Sequence, residues 1–308
     1  MAKRLSDIGE FEMIDLIRKT IGVSFRSLPA LHSRGVIQGI GDDAAVLPLT
    51  KDKYLLFTTD MLVEGVHFTL KNSPAAIGRK AIACNVSDIA AMGGVPTYAV
   101  VSLGVSAAAR MGFVKNLYQG MSELCRKFRC SIVGGDTVKS DKLIINVALL
   151  GEVPKKYLTL RSGARPGDLI FITGALGNSL KSGRHLSFTP RVKEAQYLAK
   201  NFHTTAMIDI SDGLAGDLGH ILAESKVGAV IYEHKIPLNK GADLNQALYD
   251  GEDFELLFTV SPKDGRRLMV QDQKFYLIGE IVAPKHGLQL INRRWKATRL
   301  PAEGFAHF

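Results

Sequence analysis

Apolar positions along the chain switch repeatedly between two periods. Short runs rich in β-branched and aromatic residues at 54–58, 99–105, 144–150, 169–173, 229–232, 255–260 and 275–278 predict strands. Between them, apolar residues at three- and four-residue spacing over about 75–92, 110–128, 191–201 and 214–224 predict helices. A shorter helix is expected over 10–18, with Ser6 and Asp7 as caps and Phe11, Ile14, Leu16 and Ile17 on its apolar side. Strands mixed with helices in this way indicate an α/β or α+β architecture. The segment 154–168, PKKYLTLRSGARPGD, is rich in proline, glycine and basic residues and is the best candidate junction, dividing the chain into 1–153 and 154–308. Residues 89–109 carry no charge over a length that could span a bilayer. Gly93, Gly94, Pro96, Ser102 and Gly104 interrupt them, so they read as a helix end, a loop and a buried strand, and no membrane span is expected.

Composition changes little in this picture. With 308 residues, 46% hydrophobic and 22% charged, the chain is long enough to bury a substantial core and has the make-up of a soluble globular protein. Its formal charge of +9 fits nucleic acid, an anionic membrane surface or anionic small molecules. The bases are scattered, however, with only short clusters such as Arg266-Arg267 and Arg293-Arg294, which read as solvated surface rather than a nucleic-acid interface. Cys84, Cys125 and Cys130 lack CxxC spacing, so neither a disulfide framework nor a zinc site is indicated, and a reducing cytoplasm is the natural setting. The first residues contain no long apolar stretch of the signal-peptide kind.

The acids are gathered where the bases are not. They occur in GIGDDAAVL (39–47), TTDMLVEGVHF (58–68), NVSDIAAMGG (85–94), VGGDTV (133–138), DISDGLAGDLGHI (209–221) and DGEDFELLF (250–258). Small hard cations take carboxylate, hydroxyl and carbonyl oxygens, and Mg²⁺ keeps several waters while bridging to phosphate. An aspartate on a glycine-flanked turn suits this, because the backbone there can approach a phosphate closely. Each motif also has a plain structural reading. Asp42-Asp43 fits a turn, Asp212 an N-cap, Asp88 an exposed helix position, Gly134-Gly135-Asp136 a tight turn, and His67 a packed histidine. The chain has no P-loop, no dinucleotide-binding GxGxxG in a βαβ setting, and no HRD with DFG, so any use of ATP requires another scaffold.

The ordered set GDDAAV, TTDMLVEGVHF, NVSDIAAMG, GGDT, RSGARPGD, DISDGL and GEDFELLF closely resembles the thiamine-monophosphate kinase family. That family shares a superfamily with aminoimidazole ribonucleotide synthetase, selenophosphate synthetase and a hydrogenase-maturation enzyme. The resemblance implies two α/β domains, the N-terminal one with its sheet at a homodimer interface, and ATP with Mg²⁺ in the cleft between them; a K⁺ requirement is left open. It implies transfer of phosphate from ATP to thiamine monophosphate, with Asp60, Asp136 and Asp212 central to catalysis. Asp43, Thr58, Thr59, Asp60, Asp88, Asp136, Asp209 and Asp212 would be associated with metal. Gly135, Asp136, Arg161 and Ser211 would contact ATP, and His67, Glu252 and Phe305 would face the thiamine phosphate. The chain departs from the family pattern at Asp250, where many relatives carry the first glycine of GGED, and at Phe305. Competing readings are another activity of the superfamily, a metal-dependent phosphatase built on the same acids, and a non-enzymatic anion-binding protein.

Overall fold

The computed structural model describes residues 9–20, 35–270 and 275–305. Helix α1 (Gly9–Thr20) forms where expected, while its anticipated caps Ser6 and Asp7 lie outside the described residues.

The first half is built on strands β1 (Ala45–Pro48), β2 (Lys53–Val63), β3 (Val95–Val105), β4 (Ser131–Lys139) and β5 (Ile144–Pro154), ordered β1-β2-β5-β3-β4. Helices α2 (Pro74–Ala91) and α3 (Met111–Phe128) accompany them. β2 and β5 pair antiparallel along their whole length, from Lys53 opposite Pro154 to Val63 opposite Ile144. That pairing carries β2 beyond its apolar start and through Thr58, Thr59 and Asp60, because a long ladder outweighs the weak strand preference of an aspartate. β4 pairs parallel with β3, and α3 makes the crossover between them. Gly134, Gly135 and Asp136 therefore sit in mid-strand and not in a turn; their glycines hid the strand from a propensity reading.

α2 opens with Ser73, whose hydroxyl accepts the Ala76 N–H, and with Pro74 in its first turn. It is buried on nearly every side because it runs between the first sheet and the second half of the chain, touching β2, β5 and elements beyond residue 190.

The second half contains β6 (Leu169–Ile172), β7 (Thr204–Asp209), β8 (Gly228–Tyr232), β9 (Leu256–Val260), β10 (Tyr276–Val282), β11 (Leu288–Ile291) and β12 (Ala297–Arg299). They are ordered β12-β11-β8-β10-β6-β9-β7, antiparallel except where β11 meets β8. A single helical turn at Ser179–Ser182 and helices α4 (Val192–Asn201), α5 (Leu214–Ser225), α6 (Leu244–Tyr249) and α7 (Pro262–Val270) accompany them. Among the elements not anticipated, β7 ends on Asp209.

The core crosses the boundary between the halves. Ile89, Val101 and Leu149 share one apolar cluster with Phe171, Phe188, Phe254 and Phe258, while a second cluster fills the space under α5. A close-packed seam of this kind transmits little slack to groups mounted on it.

Candidate active site

Alternation along β2 sends Thr58 and Asp60 to one side of the sheet and Phe57, Thr59 and Met61 to the other. On α2, Lys80, Cys84 and Asp88 follow at four-residue intervals and share the face that meets Thr58 and Asp60. Asp42 and Asp43 precede β1, Asp209 closes β7, Ser211 and Asp212 form the turn into α5, and Glu252 lies in the loop before β9. A cavity of about 300 Å³ opens between the halves. Thr59, Asp60, His67, Cys84 and Asp88 line it from the first half, and Ser211, Asp212, Glu252, Phe254 and Phe305 from the second.

Asp43, Asp88 and Asp209 each bring one carboxylate oxygen within 4.8 Å of the others. Each carboxylate is oriented by a neighbour. Thr58 Oγ1 donates to Asp88 Oδ2 at 2.6 Å, Ser87 Oγ donates to Asp209, and the Arg161 guanidinium donates to Asp43 Oδ1 at 2.6 Å. The Arg161 backbone N–H also donates to Asp42 Oδ2 at 3.1 Å, which ties the first acidic motif to the segment joining the halves.

Burial and mutual repulsion hold these groups against ionisation. Burial and then the Asp43 charge push Asp42 up to about 7, against the pull of Arg161. Burial, then Glu252 and Asp43, raise Asp60 to about 6. Burial and then Asp43 raise Asp209 to about 8, and burial with Asp60, Asp209 and Asp43 raises Asp88 well above the carboxylate range. Asp43 Oδ2 is buried with no hydrogen-bond partner among the described residues. Clustered aspartate oxygens, oriented by hydroxyls and short of positive charge, are the donor set of a hard divalent cation, so the residues present fit Mg²⁺.

Asp212, Asp217 and His220 form a second group whose ligand atoms lie within 4.8 Å of one another. Asp217 Oδ2 already accepts the N–H groups of Asp212 and Gly213 at 3.0 and 3.1 Å, so it braces the turn at the start of α5.

The opposite wall is a strained loop. Glu252 and Phe254 both adopt left-handed backbone conformations, at φ 60° and 51°, beside Gly251 at φ 69°. Side chains disfavour that region by roughly 1–2 kcal/mol per residue, and such strain persists only where surrounding contacts enforce it. Here the Glu252 N–H donates to Ser211 O and the Phe254 N–H to Ile210 O, both at 2.7 Å, and Phe254 stacks on Phe188 at 4.1 Å. Phe305 reaches the rim because residues 302–304 lie against α5. A Cβ on Gly304 would come within 2.6 Å of Asp212 O, and the Phe305 N–H donates to that same oxygen at 2.9 Å. His67 Nδ1 accepts the Val63 N–H at 3.0 Å, which assigns its ring proton to Nε2 when neutral.

Residues 41–153 match the family model of the AIR synthase related protein, N-terminal domain, and residues 174–290 match its C-terminal domain. The chain is 37% identical to the thiamine-monophosphate kinase of Buchnera aphidicola (subsp. Schizaphis graminum) over 88% of its own length and 93% of that protein's. The chain belongs to the thiamine-monophosphate kinase family. The corresponding enzyme of Aquifex aeolicus is also 37% identical, over 85% of this chain and 88% of that protein. A solved structure described as AaThiL complexed with AMPPCP and TMP superposes with a TM-score of 0.86 at 33% identity and covers all of both chains.

Most residues expected in the site of this family member do converge. Thr58, Asp43, Asp88 and Asp209 form the cluster; Thr59, Asp60, His67, Ser211, Asp212, Glu252 and Phe305 border the cavity. Arg161 joins them through Asp43. Gly135 and Asp136 do not. Asp136 is exposed on β4, opposite Ser102, which is opposite Asn146, which is opposite Met61. Directly paired residues point to one side, so Asp136 belongs to the open face of the sheet, away from Asp88.

Three contributors escaped the motif reading. Asp217 was visible only as part of a longer acidic stretch, and Ser87 only as a small residue before Asp88. Lys80 had a usable signal, being a cation among the first, otherwise uncharged buried positions of α2, on the same helical face as Asp88.

Proposed function

We propose that this chain transfers the γ-phosphoryl group of ATP to the phosphate of thiamine monophosphate, giving thiamine diphosphate and ADP. The carrying observation is one cavity lined by Asp88 of the carboxylate cluster, by Asp60 and Asp212, and by His67, Glu252 and Phe305. The relatives' names and the ligands AMPPCP, a methylene analogue of ATP, and TMP in the superposed structure support the same reaction.

An acceptor phosphate is already anionic, so no strong base is needed to activate it. The obstacle is repulsion: each pair of unit charges ~4 Å apart costs about 1 kcal/mol in water and roughly 4 at an effective dielectric of 20. Bound Mg²⁺ supplies the neutralising charge for such a transfer. Asp43, Asp88 and Asp209 would hold it, with Asp60 and Asp212 at the cavity's edge of the cluster. Thr58, Ser87 and Arg161 fix the carboxylates in orientation beforehand. Transfer is direct, without a phosphoenzyme.

The division between domains falls at 153/154 in this reading, supported by the end of β5 at Pro154 and by the separate family matches on either side. A second copy of the chain covers the open sheet face. Phe57, Met61, Tyr98, Val100, Val133 and Val138 are each between 41% and 60% exposed there and on its β4 edge, an apolar surface unusual for a monomer. No described helix is long and apolar enough to cross a membrane.

Purified chain incubated with ATP, Mg²⁺ and thiamine monophosphate should form thiamine diphosphate in proportion to ADP. ADP formation that ignores the acceptor would instead indicate a phosphatase.

A further inference from the structure

Lys80 lies at the centre of α2 with no exposed surface, an expensive place for an ammonium group unless it is paired. Its Nζ donates to His67 O at 2.9 Å and sits 2.5 Å from Glu252 Oε2. His67 belongs to the turn that follows β2 in the first half, and Glu252 to the strained loop of the second. Lys80 itself does not border the cavity, which Cys84 and Asp88, one and two helical turns further along the same face, do. The group therefore lies beneath the acceptor wall and touches the two residues that form it from opposite halves of the chain.

We infer that Lys80 is the positioning residue of the acceptor side, joining Glu252 to the His67 turn across the cleft and so fixing the carboxylate that meets the thiamine moiety. This rests on the assignment of thiamine monophosphate as acceptor. The bond from the Glu252 N–H to Ser211 O holds its left-handed backbone, and the ion pair adds an electrostatic restraint on the carboxylate itself. A fixed carboxylate at this wall complements a permanently cationic thiazolium ring. Lysine suits the task because one compact point charge can donate to the His67 carbonyl and still lie against the Glu252 carboxylate, where a planar guanidinium would need more room.

The test is a double-mutant cycle on the full chain with Lys80→Met, Glu252→Gln and the pair together, reading KM for thiamine monophosphate and for ATP separately. Each single change should raise the acceptor KM at least about tenfold, as loss of one partner of a buried charge pair does, and leave the KM for ATP within about threefold. In the Glu252→Gln background, Lys80→Met should add less than about threefold, because the two act as one unit. An added factor of threefold or more, or an equal rise in the KM for ATP, overturns the inference. The double variant carries no unpaired buried charge, so the comparison with Glu252→Gln stands even if Lys80→Met alone fails to fold. Hydrogen exchange of substrate-free protein separates this idea from the choice of acceptor. Lys80→Met, or the double variant in its place, should speed exchange at 63–68 and 251–254 at least about tenfold. Faster exchange in a chain that does not use thiamine monophosphate would sink the acceptor assignment alone. Unchanged exchange in a chain that does use it would sink the role of Lys80.

Discussion

The carboxylate cluster and the open face of the first sheet carry acids of the same kind from motifs of the same kind, yet they are in opposite physical states. Asp43, Asp88 and Asp209 come from three distant stretches, are packed between the halves and are each held by a hydroxyl or guanidinium. Asp136 lies exposed on β4, and its carboxylate accepts only the N–H of its own neighbour Thr137 among its described hydrogen bonds. One chain thus completes the first arrangement and leaves the second open. A motif identifies a residue type suited to phosphate chemistry, whereas the packing decides whether a single chain suffices to use it.

The largest effects should come from breaking the cluster. Asp209→Asn and Asp88→Asn should each lower turnover at least about 10³-fold, because the neutralisation of transferring phosphate is lost. The metal-free proteins should melt close to the parent, since burial already holds both carboxyls against ionisation and a neutral amide of similar shape replaces each. A variant retaining a tenth of the activity would take the cluster out of the mechanism.

On the other region, Tyr98→Asp or Val100→Asp should abolish self-association. Analytical ultracentrifugation of the parent should give twice the mass of one chain and of these variants one. A parent that sediments as a single chain would leave the exposed face without its proposed cover. If the second copy that covers this face brings its site to Asp136, Asp136→Asn should lower turnover about a hundredfold or more in the parent assembly, and a loss of less than about threefold would separate Asp136 from the site.

The buried acids in and beside the cluster also make a pH prediction. Asp42, Asp60 and Asp209 are raised from 3.8 to about 7, 6 and 8 in the folded chain. The native state therefore binds these protons more tightly than the unfolded chain. Metal-free protein gains that stability fully below the unfolded value and loses it as pH climbs through the folded values, from about 4 to about 8. Differential scanning fluorimetry should show the metal-free Tm falling across this window and Mg²⁺ restoring most of the loss at its upper end. A metal-free Tm that rises with pH would contradict the burial of these groups.

The smallest effect should be that of Thr58→Val, which removes the hydroxyl orienting Asp88. An outer partner of this kind changes metal affinity by about 10–100-fold, so the Mg²⁺ concentration for half-maximal activity should rise by about tenfold with little change in maximal turnover. An unchanged Mg²⁺ requirement would make the Thr58 to Asp88 bond merely structural.

Much of this was legible in the chain. The long apolar periodicities located α2, α3, α4 and α5 within a residue or two, and the ordered acidic motifs named most of the cavity's lining. What escaped depended on partners distant in sequence. β4 was concealed by Gly134 and Gly135, and is a strand because β3 lies beside it. The polar half of β2 is extended because β5 runs its full length. The separation of Asp136 from Asp88 follows from the register of four strands, which no local pattern encodes. Lys80 carried a local signal as a cation within α2, but its role does not show locally because its two partners stand at positions 67 and 252.

The central claim is direct transfer from ATP to thiamine monophosphate on the Asp43, Asp88 and Asp209 cluster. It is tested most directly by following γ-labelled ATP with thiamine monophosphate and Mg²⁺ in parallel reactions of the parent chain and Asp209→Asn. The account predicts label in the terminal phosphate of thiamine diphosphate with the parent, none on the protein at any time, and almost no product with the variant. Label that accumulates on the protein during turnover, or a variant that forms product at the parent's rate, would contradict it.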